Sequence, residues 1–162
     1  MTGIPTVNNC FLYELLALAC IAGFAAYDLK KRRVPDRALL LFLPFALTAP
    51  FVYAWPLWTG SLLLPLFLYS FTGAAAGFVV LLSAAMMSKK GAGIGGGDIK
   101  LATVMGLIYG PSRMLTILLF ASGLAACISL AAGKRHKDGT LSYPFVPFLM
   151  IGSLIVTLTV IF

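Results

Sequence analysis

The chain has 162 residues, 60% hydrophobic and only 10% charged, with a mean hydropathy of +1.00. A soluble domain carries about a quarter charged residues, so this composition cannot supply a water-facing surface and places the chain in a bilayer. The net charge of +7 does not imply nucleic-acid binding, because the bases sit in short knots between apolar runs without an aromatic-laced basic face.

A helix needs about 20 apolar residues to cross the hydrocarbon. On that measure the sequence predicts an all-α, polytopic fold of six spans, forming one membrane-embedded domain over 1–162 with no soluble domain. The first span covers 11–27 and ends in the basic knot 28–37. No Asp, Glu, Lys, Arg or His occurs from 38 to 88, which leaves room for spans at 38–55 and 66–87. Between them Trp55 and Trp58 form an aromatic anchor at a membrane face. The glycine run 91–97 follows, then a short fourth segment, 98–109, which stops at Gly110-Pro111. The fifth span is 112–132, and the sixth is 144–162 after a polar loop.

Charge placement sets the orientation. Lys30, Lys31, Arg32, Arg33, Arg37, Lys89, Lys90, Lys100, Lys134, Arg135 and Lys137 fall on one side of these spans, and Arg113 alone on the other. The positive-inside rule puts the basic knots in the cytoplasm and both termini outside. The N-terminus lacks a basic n-region and a small-residue cleavage site, so no cleavable signal peptide is expected. The short fourth segment spans only about 18 Å. Irregular backbone at membrane depth is tolerated only beside protein or a wet cavity, so the glycine joint is expected to dip inward and line a cleft.

Asp28 closes the first span and Asp98 opens the fourth, at similar depth on different helices. Two carboxylates close together in a partly dry site share one proton, which leaves a base and an acid at the same pH. Such a pair can activate water against a peptide carbonyl and protonate the departing nitrogen. Taken singly, each has a plainer role. Asp98 could cap a helix, and Asp28 could pair with the knot Lys30–Arg33. Asp36 reads as an N-cap for the second span. Cys10, Cys20 and Cys127 read as small packing residues without metal-ligand spacing, and no metal or cofactor is expected. Glu14 lies about 21 Å from Asp28 along the helix, which puts it near the outer interface and outside any acid pair. His136 reads as a solvated loop residue. The G-x-G-x-x-G at 91–96 follows a span rather than a strand, which excludes a dinucleotide site.

Three motifs stand in order along the chain: Tyr27-Asp28-Leu29-Lys30 through Val34-Pro35-Asp36, then Gly95-Gly96-Gly97-Asp98-Ile99-Lys100-Leu101, then Pro144-Phe145-Val146-Pro147-Phe148. This combination resembles the type IV prepilin peptidases, polytopic aspartic peptidases that include the archaeal preflagellin peptidases. The resemblance implies Asp28 and Asp98 as the catalytic pair. It implies a prepilin-like or preflagellin-like substrate with a basic leader, a glycine before the scissile bond and an apolar helix after it. Lys100 matches the family's motif lysine and reads equally as a topology charge. Val34 and Asp36 stand where the family usually has isoleucine and asparagine.

Gly95 and Gly97 are expected to allow close backbone approach and left-handed dihedrals beside Asp98. Longer bacterial members carry a cytoplasmic insert with paired cysteines, linked to zinc and to N-methylation. Neither insert nor CxxC is present here, so a short-form peptidase without methyltransferase activity is expected, in the cell membrane with its aspartates toward the cytoplasm. Two other readings remain open from the residues: an intramembrane protease like presenilin and signal peptide peptidase, and a non-enzymatic scaffold or transporter subunit.

Overall fold

The computed structural model describes residues 5–31, 33–54, 63–87, 95–133 and 144–159, and these are helical without any strand. Helix α1 is Pro5–Lys31, α2 Asp36–Leu47, α3 Ala49–Ala54, α4 Leu63–Met87, α5 Gly96–Gly133 and α6 Val146–Thr159. Four segments are long and apolar enough to cross a membrane: Cys10–Lys31, Asp36–Ala54, Leu63–Met87 and Gly96–Ile128. Large apolar side chains such as Leu12, Leu16, Leu64, Leu68, Phe71, Val79, Leu115 and Leu119 are exposed on their outer faces. In water such faces would drive association; in lipid they are the solvent-facing surface. The chain is a multi-pass membrane protein.

One stripe of α1 faces the bundle. Tyr13, Glu14, Ala17, Ile21, Phe24, Ala25 and Asp28 are all buried, with the three- and four-residue spacing of a single helix face. Both acidic residues of α1 therefore point inward, at opposite ends of one stripe. Cys20 falls off that stripe. It and Cys127 are exposed rather than packed inside, and Cys10 is half-buried.

The second predicted span is broken at Thr48. Pro50 has no N–H to give and its ring crowds the carbonyl four residues back, so the α2 ladder cannot continue. Thr48 closes α2 through its hydroxyl and its N–H, both donated to the Phe45 carbonyl. Helix α3 then starts with bonds from Phe51 and Val52 to the Thr48 carbonyl.

Helix α5 turns at Gly110, where φ is 71° and ψ 175°. Left-handed φ suits glycine, because a Cβ there clashes with the backbone; Gly110 is the positive-φ glycine among the described residues. Before the turn, Ala102 lies against Gly77 and Gly106 against Gly73; after it, Ser112 reaches Tyr69 and Met114 reaches Gly77. The two arms thus run in opposite directions along α4, and α5 supplies both the short fourth and the fifth predicted segments. Gly73-x-x-x-Gly77 on α4 faces Ala102-x-x-x-Gly106-x-x-x-Gly110 on α5, where a Cβ on Gly77 would stand 2.6 Å from the Ala102 carbonyl oxygen. Small residues at this spacing let two backbones touch where lipid offers no hydrophobic driving force. The first arm is enclosed on nearly every side, with Leu101, Ala102, Met105, Ile108 and Tyr109 buried.

Trp55, Trp58, positions 91–94 of the glycine run and the loop with His136 lie outside the described residues.

Candidate active site

Asp28 sits at the end of the buried α1 stripe and is itself buried. Helix α6 begins directly against it. The first N–H groups of a helix have no partner within that helix, and Val146, the first residue of α6, donates its N–H to Asp28 Oδ2 at 3.4 Å. Phe145 accepts the first bonds of α6, from Phe148 and Leu149. Pro147 falls among the first residues of the helix, where a missing N–H costs no ladder bond. The Pro-Phe-Val-Pro-Phe motif therefore builds a helix start aimed at Asp28. Val146 had no role in the sequence reading, although a signal was available: a proline pair marking a helix N-terminus, which favours an anion.

Asp98 stands in the first turn of α5. Its N–H donates to the Gly95 carbonyl at 3.0 Å, and its Oδ2 accepts the Gly95 N–H at 3.3 Å. This is the reciprocal half of a capping box, in which the third residue reaches back to the cap. The capping role and an acidic role are thus compatible, since Oδ1 is not used in the cap. The Asp98 turn packs through Gly97 on Val34, in the turn just after α1, so the two carboxylates stand at the same end of the bundle although 70 positions separate them in sequence.

The glycines act by close approach. A Cβ on Gly97 would stand 2.8 Å from the Val34 Cβ, and one on Gly95 would stand 3.4 Å from Asp98 Oδ2. Gly97 therefore lets the turn after α1 press on the first turn of α5, which draws the Asp28 end and the Asp98 end together. The expected left-handed dihedrals are not found at either glycine; that conformation belongs to Gly110. Gly95 and Gly97 flank or open a regular helix turn, which needs no positive φ.

Lys100 donates to Asp36 Oδ1 at 2.8 Å, with side chains 58% and 74% exposed. Exposed pairs contribute about 0–1 kcal/mol, so this one braces α5 against α2 at the rim of the site without much stabilising the fold. Asp36 is not the N-cap expected of it. Pro35 occupies that position without a side-chain hydrogen bond, because Asp36 already lies inside the first turn and points to Lys100. Glu14, expected near the outer interface, is buried at the other end of the α1 stripe from Asp28. Arg113 donates to its Oε1 at 2.5 Å, and the Tyr53 hydroxyl donates to the same oxygen at 3.2 Å.

Residues 14–130 match the model of the type IV leader peptidase family, a stretch that includes both aspartates and the glycine joint. The chain belongs to that family. It is 33% identical over 134 residues to a prepilin leader peptidase/N-methyltransferase of Bacillus subtilis (strain 168), a match covering 81% of this chain and 49% of the relative. The chain thus spans about half the length of that curated relative. No solved structure matches it.

Proposed function

We propose that the chain is a membrane aspartic endopeptidase that removes the short basic leader of prepilin-like or preflagellin-like precursors. Asp28 and Asp98 act as one acid–base pair. What supports this reading is that two carboxylates from different helices, each accepting a backbone N–H, stand at the same end of the bundle in a chain of the leader peptidase family.

The pair holds one proton between its members. The start of α6 favours negative charge at Asp28, which suits it to take a proton from water as that water attacks the carbonyl before the scissile bond. Asp98 then gives its proton to the departing nitrogen, and the C–N bond breaks. The proton taken from water restores the pair. Gly95 and Gly97 shape the Asp98 turn, and Lys100 braces it through Asp36. The site faces the cytoplasm, where the leader is presented. Leader removal alone is proposed here, and methylation of the new N-terminus is not part of the proposal.

The test is cleavage of a co-reconstituted prepilin in liposomes, read by the N-terminal sequence and mass of the product. Asp28→Asn and Asp98→Asn are each expected to lower the rate by at least about a thousandfold, and the double variant no further, as for groups that work as a unit. Substantial cleavage by either single variant, with folding intact, overturns the acid pair. A product heavier by one methyl group overturns the peptidase-only assignment.

A further inference from the structure

A cleft of about 260 Å³ opens between α2 and the first arm of α5, lined by Asp36, Leu39, Leu40 and Leu43 on one side and by Lys100 and Val104 on the other. The α2 residues follow the i, i+3, i+4, i+7 spacing of one helix face, and Lys100 and Val104 stand one turn apart on α5. The cleft therefore runs along both helices, for about 10 Å from its charged end. Asp36 opens the candidate span Asp36–Ala54, and Lys100 lies about one turn inside the candidate span Gly96–Ile128. Charged side chains at span ends sit at the level of the lipid headgroups. The charged mouth is thus at headgroup level, and the apolar walls descend from it into the hydrocarbon, with Leu40 70% exposed. Neither Asp28 nor Asp98 lines this cleft.

We infer that this cleft binds one phospholipid of the phosphatidylethanolamine class. Its phosphate lies at Lys100, its primary ammonium at Asp36, and one acyl chain along Leu40, Leu43 and Val104. Charge complementarity carries the inference. The mouth presents one cation and one anion, 2.8 Å apart, and the remaining lining is apolar. A zwitterionic headgroup on an acyl chain offers the opposite charges in the same arrangement. Both side chains are more than half exposed, so their mutual attraction is weak and a change of partner costs little. Lys100 has three N–H donors and gives one to Asp36 Oδ1; the lipid phosphate accepts from the others. The lipid ammonium donates to Asp36 Oδ2, which has no partner among the described residues. A quaternary ammonium cannot donate to a carboxylate, and an anionic headgroup would meet Asp36 as a like charge. Those two features set this class apart from phosphatidylcholine and phosphatidylglycerol. The inference does not rest on the proposed peptidase function, because the cleft contains neither aspartate of the acid pair.

The experiment is lipid retention by the purified full chain in detergent, read by mass spectrometry of the intact complex. The chain is offered an equimolar mixture of phosphatidylethanolamine, phosphatidylcholine and phosphatidylglycerol with identical acyl chains. Phosphatidylethanolamine is expected to be retained about threefold or more over either competitor, the order that exposed charge pairs supply. Asp36→Asn is expected to remove the preference over phosphatidylglycerol, and Lys100→Met to lower retention of phosphatidylethanolamine by about threefold. Both substituted side chains are exposed, so the fold is retained, which thermal unfolding checks. Arg37→Met removes an exposed charge that does not line the cleft and is expected to change neither quantity. Glycerophosphoethanolamine, the same headgroup without acyl chains, is expected not to compete, because the chain supplies the contact with the walls. Equal retention of the three lipids, a preference that survives Asp36→Asn, or competition by the bare headgroup overturns the inference. A preference for phosphatidylglycerol means that Lys100 acts alone on an anion, and retention of no lipid means that protein covers the cleft. Either result overturns it as well.

Discussion

A carboxylate within an apolar helix costs several kcal/mol unless something holds its charge. Glu14 meets that cost through Arg113 and Tyr53, which come from α5 and α3 and converge on one oxygen. The pair is unequal: the Glu14 side chain is 5% exposed and that of Arg113 34%. Removing the arginine strands a buried charge, whereas removing the glutamate leaves a cation whose long stem can extend toward the outer interface. Arg113→Ala is therefore expected to destabilise the protein by about 3 kcal/mol and Glu14→Ala by about 1 kcal/mol. Thermal unfolding in detergent micelles checks this, and equal losses would mean that both charges are equally stranded. Asp28 is the opposite case at the other end of the same stripe. Its partner among the described residues is a backbone N–H rather than a cation, as the proposed proton transfer requires.

The elements of the site are brought together by missing side chains. Gly97 lets the turn after α1 touch α5, and Gly73, Gly77 and Gly106 let α4 and α5 pack backbone to backbone. The two contacts have different consequences. The α4–α5 contact holds the bundle, while the Gly97 contact sets the position of one carboxylate relative to the other. Gly97→Ala is expected to reduce leader removal by about a hundredfold, since a displacement near 1 Å suffices for that, with insertion and expression unchanged. Adding Val34→Gly removes the atom that the new Cβ meets and is expected to recover part of the loss. Full activity in Gly97→Ala, measured on the same co-reconstituted precursor, would mean that the turn has room to shift.

On the scale of the whole molecule, charge is sorted to two ends. Glu14 and Arg113 pair at one end of the bundle; Asp28, Asp98 and the Asp36–Lys100 brace lie at the other. About 21 Å of α1 separates the two groups. The reversal at Gly110 sustains this arrangement, because without it the second arm of α5 would carry Arg113 away from Glu14. The orientation we propose predicts that, in a cysteine-free background, a cysteine replacing Arg33 is shielded from an impermeant reagent outside intact cells. One replacing Ser112 reacts. The reverse pattern would put the acid pair outside the cell and exclude cleavage of a cytoplasmic leader.

The amino-acid sequence by itself determined the class of solvent, the approximate spans and the two candidate aspartates, because each follows from local composition. An uncharged run long enough to cross a bilayer has no soluble alternative, and Gly110-Pro111 announces a break whatever surrounds it. The three motifs in order pointed to the family for the same reason. Their geometry was not legible. Pro50 was a local signal for the break at Thr48, yet continuous hydropathy concealed it. The burial of Glu14 depended on Arg113, 99 positions away; the service of Val146 to Asp28 depended on a helix start 118 positions away. Only the tertiary structure decided these, because the free energy of a buried charge is set by the partners that packing brings to it and not by its neighbours in the chain.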